Sequence, residues 1–173
     1  MRIMVASDIH GDYAWAVRVV DKFKESGADK LLLLGDILYH GPRNDLPANY
    51  EPKKVITLLN DMSDKILCVR GNCDTEVDQM VLNFPILADY IYLVSGETVI
   101  FATHGHVYNP DNPPKALPEG GILLTGHTHV ACDRDMGDYR YINPGSPSIP
   151  KEGTLPSYIM IEDGKVELIP FDT

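Results

Sequence analysis

The chain has 173 residues, of which 44% are hydrophobic, so it can bury a sizeable core within one domain spanning residues 1–173. Its 15 lysines and arginines stand against 25 aspartates and glutamates, a formal charge of −10. Such a chain repels polyanions at long range and carries no basic run, which argues against a general DNA- or RNA-binding role. In chain order, residues 2–7 ("RIMVAS") read as a strand. Residues 13–26 place apolar side chains at helical spacing, and Gly27 is a natural stop. Residues 30–34 ("KLLLL") form a buried strand that runs into Gly35-Asp36, and a polar loop follows to about Tyr50. "EPKKVITLLNDMS" reads as a second helix, with Pro52 suited to its first turn. Residues 66–69 are a third strand, so the first half predicts β-α-β-α-β and a largely parallel sheet.

The second half changes character. "YIYLVSGETVIFAT" reads as a hairpin turning at Ser95-Gly96, and "GILLTG" as another buried strand. "VACDRDMGDYRYIN" reads as a hairpin turning near Met136-Gly137. "YIMIEDGKVELI" contains Asp163-Gly164, the strongest short hairpin signal in the chain. Helical patterns almost vanish after residue 80. The expectation is an α/β fold of two packed sheets with helices outside. No window reaches the apolar length of a membrane span, and "MRIMVASDIHGD" meets charge and histidine too early for a signal peptide. Cys68, Cys73 and Cys132 form no CxxC pair, which reads as a reducing compartment, the cytoplasm.

Polar groups collect where the predicted strands end. "SDIHGD" supplies Asp8 and His10, "LGDILYHGPRN" supplies Asp36, and "RGNCD" supplies Asn72. "THGH" supplies His104 and His106, and "TGHTH" supplies His127 and His129. Crevices at the carboxyl ends of strands are the default ligand site of open α/β sheets. Gly11, Gly35, Gly71 and Gly126 lie beside these groups and let neighbouring segments approach closely. Asp8-x-His10 and His127-x-His129 are i, i+2 pairs, which in extended backbone share a face. Imidazole, carboxylate and amide ligands together suit manganese, iron or zinc better than calcium or magnesium. Seven candidates exceed one tetrahedral site and match two metals that share a carboxylate. Each motif alone has a bland reading as a cap, a turn or a core histidine. Together, five of the six histidines fall in glycine-bearing motifs at predicted strand ends, which favours a metal centre.

The pattern DxH…GD…GN…H…GHxH resembles the calcineurin-like metallophosphoesterases from Asp8 to Ser146. Within them, "HGPRN", "GNCD" and "NPGSPSIPK" resemble the bacterial YfcE-type phosphodiesterases. The resemblance implies a four-layer α/β/β/α sandwich with two mixed sheets and outer helices. It implies that Asp8, His10, Asp36 and His129 hold a first divalent ion. Asp36 would bridge to a second ion held by Asn72, His104 and His127. The family usually works with manganese, with iron, zinc, nickel or cobalt as alternatives. The implied reaction is hydrolysis of a small phosphodiester by in-line attack of a hydroxide bridging the two ions. Homo-oligomers are compatible with the pattern.

Cys73 stands where most of that superfamily carries a histidine, a candidate for stabilising the leaving group. A neutral thiol is a poorer proton donor at pH 7 than an imidazolium, which points to substrates with low-pKa leaving groups. The competing reading is a semi-buried thiol beside the site. His106 either orients a metal ligand or touches the phosphate, and Asp12 either orients a ligand or caps the first helix. Arg43 and His40 lie on the loop after the Asp36 strand. Arg43 either holds a phosphate oxygen or is a surface loop residue. Arg70 reads as a structural pairing residue, and Asn143-Pro144-Gly145-Ser146 as a turn buttressing the site. Two other functions stay open. One is a phosphomonoesterase; the other is a non-catalytic scaffold, as the retromer subunit of the same fold suggests.

Overall fold

A computed structural model describes residues 1–172. Two five-stranded mixed sheets pack face to face. The first contains β1 (Ile3–Ala6), β2 (Lys30–Leu33), β3 (Ile66–Cys68), β9 (Ser157–Glu162) and β10 (Lys165–Pro170), in the order β10-β9-β1-β2-β3. The second contains β4 (Tyr90–Ser95), β5 (Thr98–Thr103), β6 (Gly121–Leu124), β7 (Cys132–Asp135) and β8 (Tyr139–Asn143), in the order β4-β5-β6-β8-β7. β1, β2 and β3 are mutually parallel, and so are β5, β6 and β8. The hairpin partners run antiparallel at the edges.

The two-residue period of a strand sorts its side chains between two layers. Met4, Ala6, Leu31 and Leu33 face the helices, where Val19, Val20, Val55 and Leu59 cover them. Ile3, Val5, Leu32 and Leu34 face the other way, onto Ile100, Ala102, Ile122, Leu124 and Ile142 of the second sheet. A strand buried on both faces reads as a continuous apolar run, which is why "KLLLL" shows no alternation. The outer face of the second sheet carries Phe101, Leu123 and Tyr141, covered by Tyr108 and Leu117 from the segment between β5 and β6. Among the described residues, helices occur only in the first half.

α1 (Tyr13–Ser26) begins at Asp12, whose carboxylate accepts from the Trp15 N–H at 3.0 Å, and ends at Gly27 in the left-handed region. The Asp12 alternatives are thereby resolved towards the cap. α2 (Pro52–Asn60) starts on its proline. One short helix, α3 (Glu76–Gln79), was not expected; Thr75 and Asp78 close a capping box on it. The first hairpin pairs Ser95 with Thr98, so its turn is centred on Gly96-Glu97, one residue beyond the sequence reading. The last hairpin pairs Glu162 with Lys165 around Asp163-Gly164. Both turn residues there have positive φ, at 49° and 82°, the combination that a two-residue type I′ turn requires.

Candidate metal centre

The parallel strands β1, β2 and β3 end side by side, and the chain does not diverge at once. The N–H groups of Asp8, His10 and Gly11 donate to the carbonyls of Gly35, Asp36 and Ile37, so the first two loops stay laced beyond the sheet. The third loop joins through Asp74. Its buried carboxylate accepts from the N–H groups of Asp36, Ile37 and Gly71 at 2.7–3.0 Å. The Gly35 and Gly71 backbones touch: a Cβ on Gly35 would overlap the Gly71 backbone, and one on Gly71 would overlap Asp36. The second sheet is docked likewise, because a Cβ on Gly126 would run into Ser7 and Asp8.

These approaches bring all seven predicted ligand residues together. His10 Nε2 lies 3.1 Å from His129 Nε2, and Asp8 Oδ1 lies 3.6 Å and 3.3 Å from those two atoms. Asp36 Oδ2 is 3.7 Å from His10 Nε2 and 3.5 Å from His104 Nε2, so this carboxylate sits between two groups of imidazoles. Around His104 Nε2 stand Asn72 Oδ1 at 3.0 Å and His127 Nδ1 at 3.2 Å. Asp8, His10, Asp36, His104 and His129 are buried, His127 is half-buried, and Asn72 faces solvent.

One expectation about local geometry is corrected. The DxH and HxH pairs do not share a face through extended backbone. Asp8, His10, Asp36, His127 and His129 all have φ between 51° and 68°. They lie past the strand ends, in the left-handed region where non-glycine residues carry strain, and the packed surroundings hold them there. The neighbouring hydrogen bonds supply that hold. Asp8 Oδ2 accepts from Ser7 Oγ at 2.6 Å and from the His127 N–H at 2.9 Å. The Asp8 carbonyl accepts from Ser146 Oγ at 2.7 Å and Ser148 Oγ at 3.1 Å. Asn143 spans the turn beside it, donating to the Gly126 carbonyl at 2.7 Å and accepting from Gly145 N–H at 2.8 Å. The 143–146 turn therefore buttresses the site, as read from the sequence.

His10, His104 and His129 each place Nδ1 against a backbone carbonyl, those of Tyr39, Leu34 and Ile149, at 2.7–3.1 Å. A carbonyl only accepts, so each Nδ1 carries the proton and each Nε2 turns inward. Nitrogens 3.1 Å apart with facing lone pairs repel unless a proton or a cation lies between them. Asp8 Oδ1 is buried without any hydrogen-bond partner, a cost that a cation removes. The residues present fit metal ions.

The electrostatics point the same way. Burial alone would raise the Asp8 carboxyl, but His104, His10 and His129 outweigh it and hold Asp8 well below the usual range. Asp36 is lowered in spite of burial, chiefly by His104. Burial alone would lower His104, yet Asp8 and Asp36 lift it to about 9. Burial and then the charge on His104 push His127 down to about 4, so it stays neutral. A cluster that draws protons to inward nitrogens draws divalent ions for the same reason.

A cleft of about 250 Å³ opens over this cluster, with Asp36, Asn72, Cys73, His127 and His129 on its inner side. Cys73 donates its backbone N–H to Asp36 Oδ1 at 2.8 Å. Burial and then the Asp36 carboxylate push its thiol up to about 12, so it stands as a neutral thiol. Arg43 lines the cleft, whereas His40 does not: its ring packs edge-on against Tyr39 and Tyr50. His106 is exposed and does not line the cleft; its ring lies 5.4 Å from that of His104. Arg70 donates to the Asp74 carbonyl at 3.2 Å and lies 3.7 Å from Glu76, a pairing residue as expected.

Three contributors lie outside the ligand motifs. Asp74 closes the "RGNCD" segment, and its signal in the sequence is an acidic residue two positions after the amide. Ser148 and Lys151 lie in a segment without periodicity, and only the packed fold brings them to the site.

Residues 1–164 match the family model of the calcineurin-like phosphoesterase superfamily domain. The chain is 46% identical over 169 residues to phosphodiesterase YfcE of Escherichia coli strain K12, covering 98% of this chain and 91% of that protein. The solved structure of that E. coli phosphoesterase superposes with a TM-score of 0.94, covering 98% of this chain and 93% of the other. Vacuolar Protein Sorting 29 of Cryptosporidium parvum shares the fold at 16% identity, with a TM-score of 0.60 and coverage of 96% and 94%.

Proposed function

Because the chain belongs to the calcineurin-like phosphoesterase superfamily, we propose that it is a metal-dependent phosphodiesterase acting on a small diester. The observation that carries this reading is the cluster itself. Seven ligand-type side chains converge under an open cleft, with an orphaned carboxylate oxygen and inward imidazole nitrogens at its centre. Asp8, His10, Asp36 and His129 would hold one divalent ion. Asp36, Asn72, His104 and His127 would hold the other. Manganese is the first choice because the family resemblance implies it; the mixed nitrogen and oxygen donors themselves suit manganese, iron or zinc. When bound, such a pair supplies a water of near-neutral pKa for in-line attack on phosphorus and neutralises charge on the phosphoryl oxygens.

The protein's own part is placement. The three carbonyl-anchored imidazoles cannot rotate without losing a hydrogen bond, so their inward nitrogens keep their positions. Asp74 locks the Asp36 and Gly71 loops together and fixes the carboxylate between the two groups. Arg43 lines the cleft, where its guanidinium is available to a phosphate of the substrate. His106, whose ring lies 5.4 Å from that of His104, would meet the phosphate or orient a metal ligand. Cys73, as a neutral thiol, gives the leaving group little help. Cys73→His is expected to raise turnover of poor leaving groups more than that of good ones; equal changes across a leaving-group series would refute this.

The chain acts as one domain over residues 1–173, in a reducing compartment, the cytoplasm, consistent with three free cysteines. Among the described residues no helix is long and apolar enough to cross a membrane. The deciding experiment strips the protein of metal, restores manganese, and compares matched phosphomono- and diesters of one phenol. Manganese-dependent hydrolysis with a diester preference is expected. A monoester preference would overturn the diesterase assignment, and no hydrolysis of either would favour a scaffold.

A further inference from the structure

Besides the ligand-type residues, the cleft is lined by a second polar group, Arg43, Asn44 and Lys151. Among the described residues, six of the fifteen lysines and arginines, Arg2, Lys22, Lys54, Lys65, Arg70 and Arg140, lie within ion-pair distance of a carboxylate; Arg43 and Lys151 do not, and both line the cleft. Two unneutralised cations thus face the same 250 Å³ space.

Lys151 is also held in place. Its backbone N–H donates to the His129 carbonyl at 3.0 Å, which fixes it one residue pair away from the metal cluster. Its ammonium donates to Asn44 Oδ1 at 3.2 Å, while Asn44 Nδ2 donates to the His40 carbonyl at 2.8 Å. Asn44 therefore ties the ammonium to the loop that carries Arg43. One of the three ammonium donors is used, and two remain for a ligand.

Charge decides what that ligand is. Two divalent ions held by the cluster would outweigh Asp8 and Asp36 and suffice for the single negative charge of a diester. Two further cations lining the cleft exceed that need. We infer that Arg43 and Lys151, with Asn44, form a subsite for a second phosphate of the substrate, an unesterified phosphate on the group next to the scissile diester. The inference rests on the phosphodiesterase reading for its place in catalysis, but the subsite can be tested apart from it.

The activity test compares thymidine 5′-(p-nitrophenyl phosphate) with its 3′-phosphorylated counterpart on the manganese-loaded enzyme. The phosphorylated substrate should be favoured about ten-fold in kcat/KM, the worth of one charge-assisted contact, mostly through KM. Lys151→Ala should bring the ratio to within about two-fold of unity, and Lys151→Arg should restore it, since arginine keeps the charge. Equal values in the wild type, or a ratio that Lys151→Ala leaves unchanged, would overturn the subsite. A calorimetric arm is independent of turnover. Thymidine 3′,5′-bisphosphate should bind the wild type about ten-fold tighter than thymidine 5′-monophosphate, and Lys151→Ala should lose that margin. If neither ester is hydrolysed but the margin is present and depends on Lys151, the catalytic reading fails and the subsite stands. No margin in the wild type removes the subsite whatever the turnover.

Discussion

Two regions of this protein adopt the same left-handed backbone for different reasons. At the β9–β10 hairpin, Asp163 and Gly164 have positive φ because a two-residue turn between twisted strands demands it. Asp163 is exposed there and Gly164 half-buried, and the dipeptide itself specifies the turn. At the other region, Asp8, His10, Asp36, His127 and His129 have positive φ with no glycine or asparagine in their places. Four of the five are buried, and each carries a functional group into the cluster. In the hairpin, local chemistry selects the conformation. At the site, long-range packing imposes it, and the side-chain chemistry is what the strain preserves.

The comparison is tested most severely by changing chemistry while leaving backbone demands alone. Asp36→Asn keeps the shape, and asparagine accepts left-handed φ as readily as aspartate. It removes the charge between the two imidazole groups. Turnover should fall by more than ~10²-fold with modest change in thermal stability, because ligand loss exceeds the usual effect of losing a supporting contact. His127→Ala should do the same. Retention of even a tenth of the manganese-dependent activity in either variant would detach the cluster from catalysis.

A second test changes shape and not chemistry. Gly126→Ala places a methyl against Ser7 and Asp8 where the two sheets dock. Overpacking of this kind should cost about 2–3 kcal/mol and lower Tm by about 5–10 °C. Gly164→Ala meets nothing closer than 3.5 Å, so only its φ of 82° is strained. It should cost about 1 kcal/mol. Thermal melts of the two variants check the order; equal losses would show that the close approach at Gly126 is not tight.

This contrast also explains what the sequence made legible. Strand and helix positions followed from apolar spacing, and α1 was read to the residue because a cap and a glycine bracket it. The ligand-type residues stood out because they cluster after strands. Their left-handed conformation did not, since neither aspartate nor histidine announces it. Asp74 carries a local signal in its place two residues after Asn72, but its bond to the Asp36 N–H spans 38 residues; Lys151 carries none, because its side-chain partner Asn44 lies 107 residues away and no local pattern records such a contact. The Gly96-Glu97 turn was misplaced by one residue because Ser95 and Gly96 are both good turn residues, and cross-strand register decided between them.

The cluster should also respond to pH in a way the hairpin cannot. His104 is lifted from 6.5 to about 9, so it is protonated at neutral pH without metal. Its contribution to the stability of the metal-free protein is full below about 6.5 and is lost as pH rises through about 9. Metal must displace that proton. Manganese affinity should therefore rise by about ten-fold per pH unit between pH 6 and 8. Calorimetry in buffers of different ionisation enthalpy should detect at least one proton released per protein. A pH-independent affinity would mean that the inward nitrogen is already bare.

The smallest effect belongs to the hairpin. Asp163→Asn substitutes one left-handed turn residue for another, at a position exposed to solvent. Stability should change by less than about 0.5 kcal/mol, with activity intact. Asp163→Val should lose about 1–2 kcal/mol, because a β-branched side chain resists positive φ. Chemical denaturation of the pair measures both. The same aspartate-to-asparagine change that silences Asp36 is thus expected to pass unnoticed at Asp163. If Asp163→Asn destabilised the fold as much as Asp163→Val, the carboxylate and not the turn geometry would be what the hairpin needs.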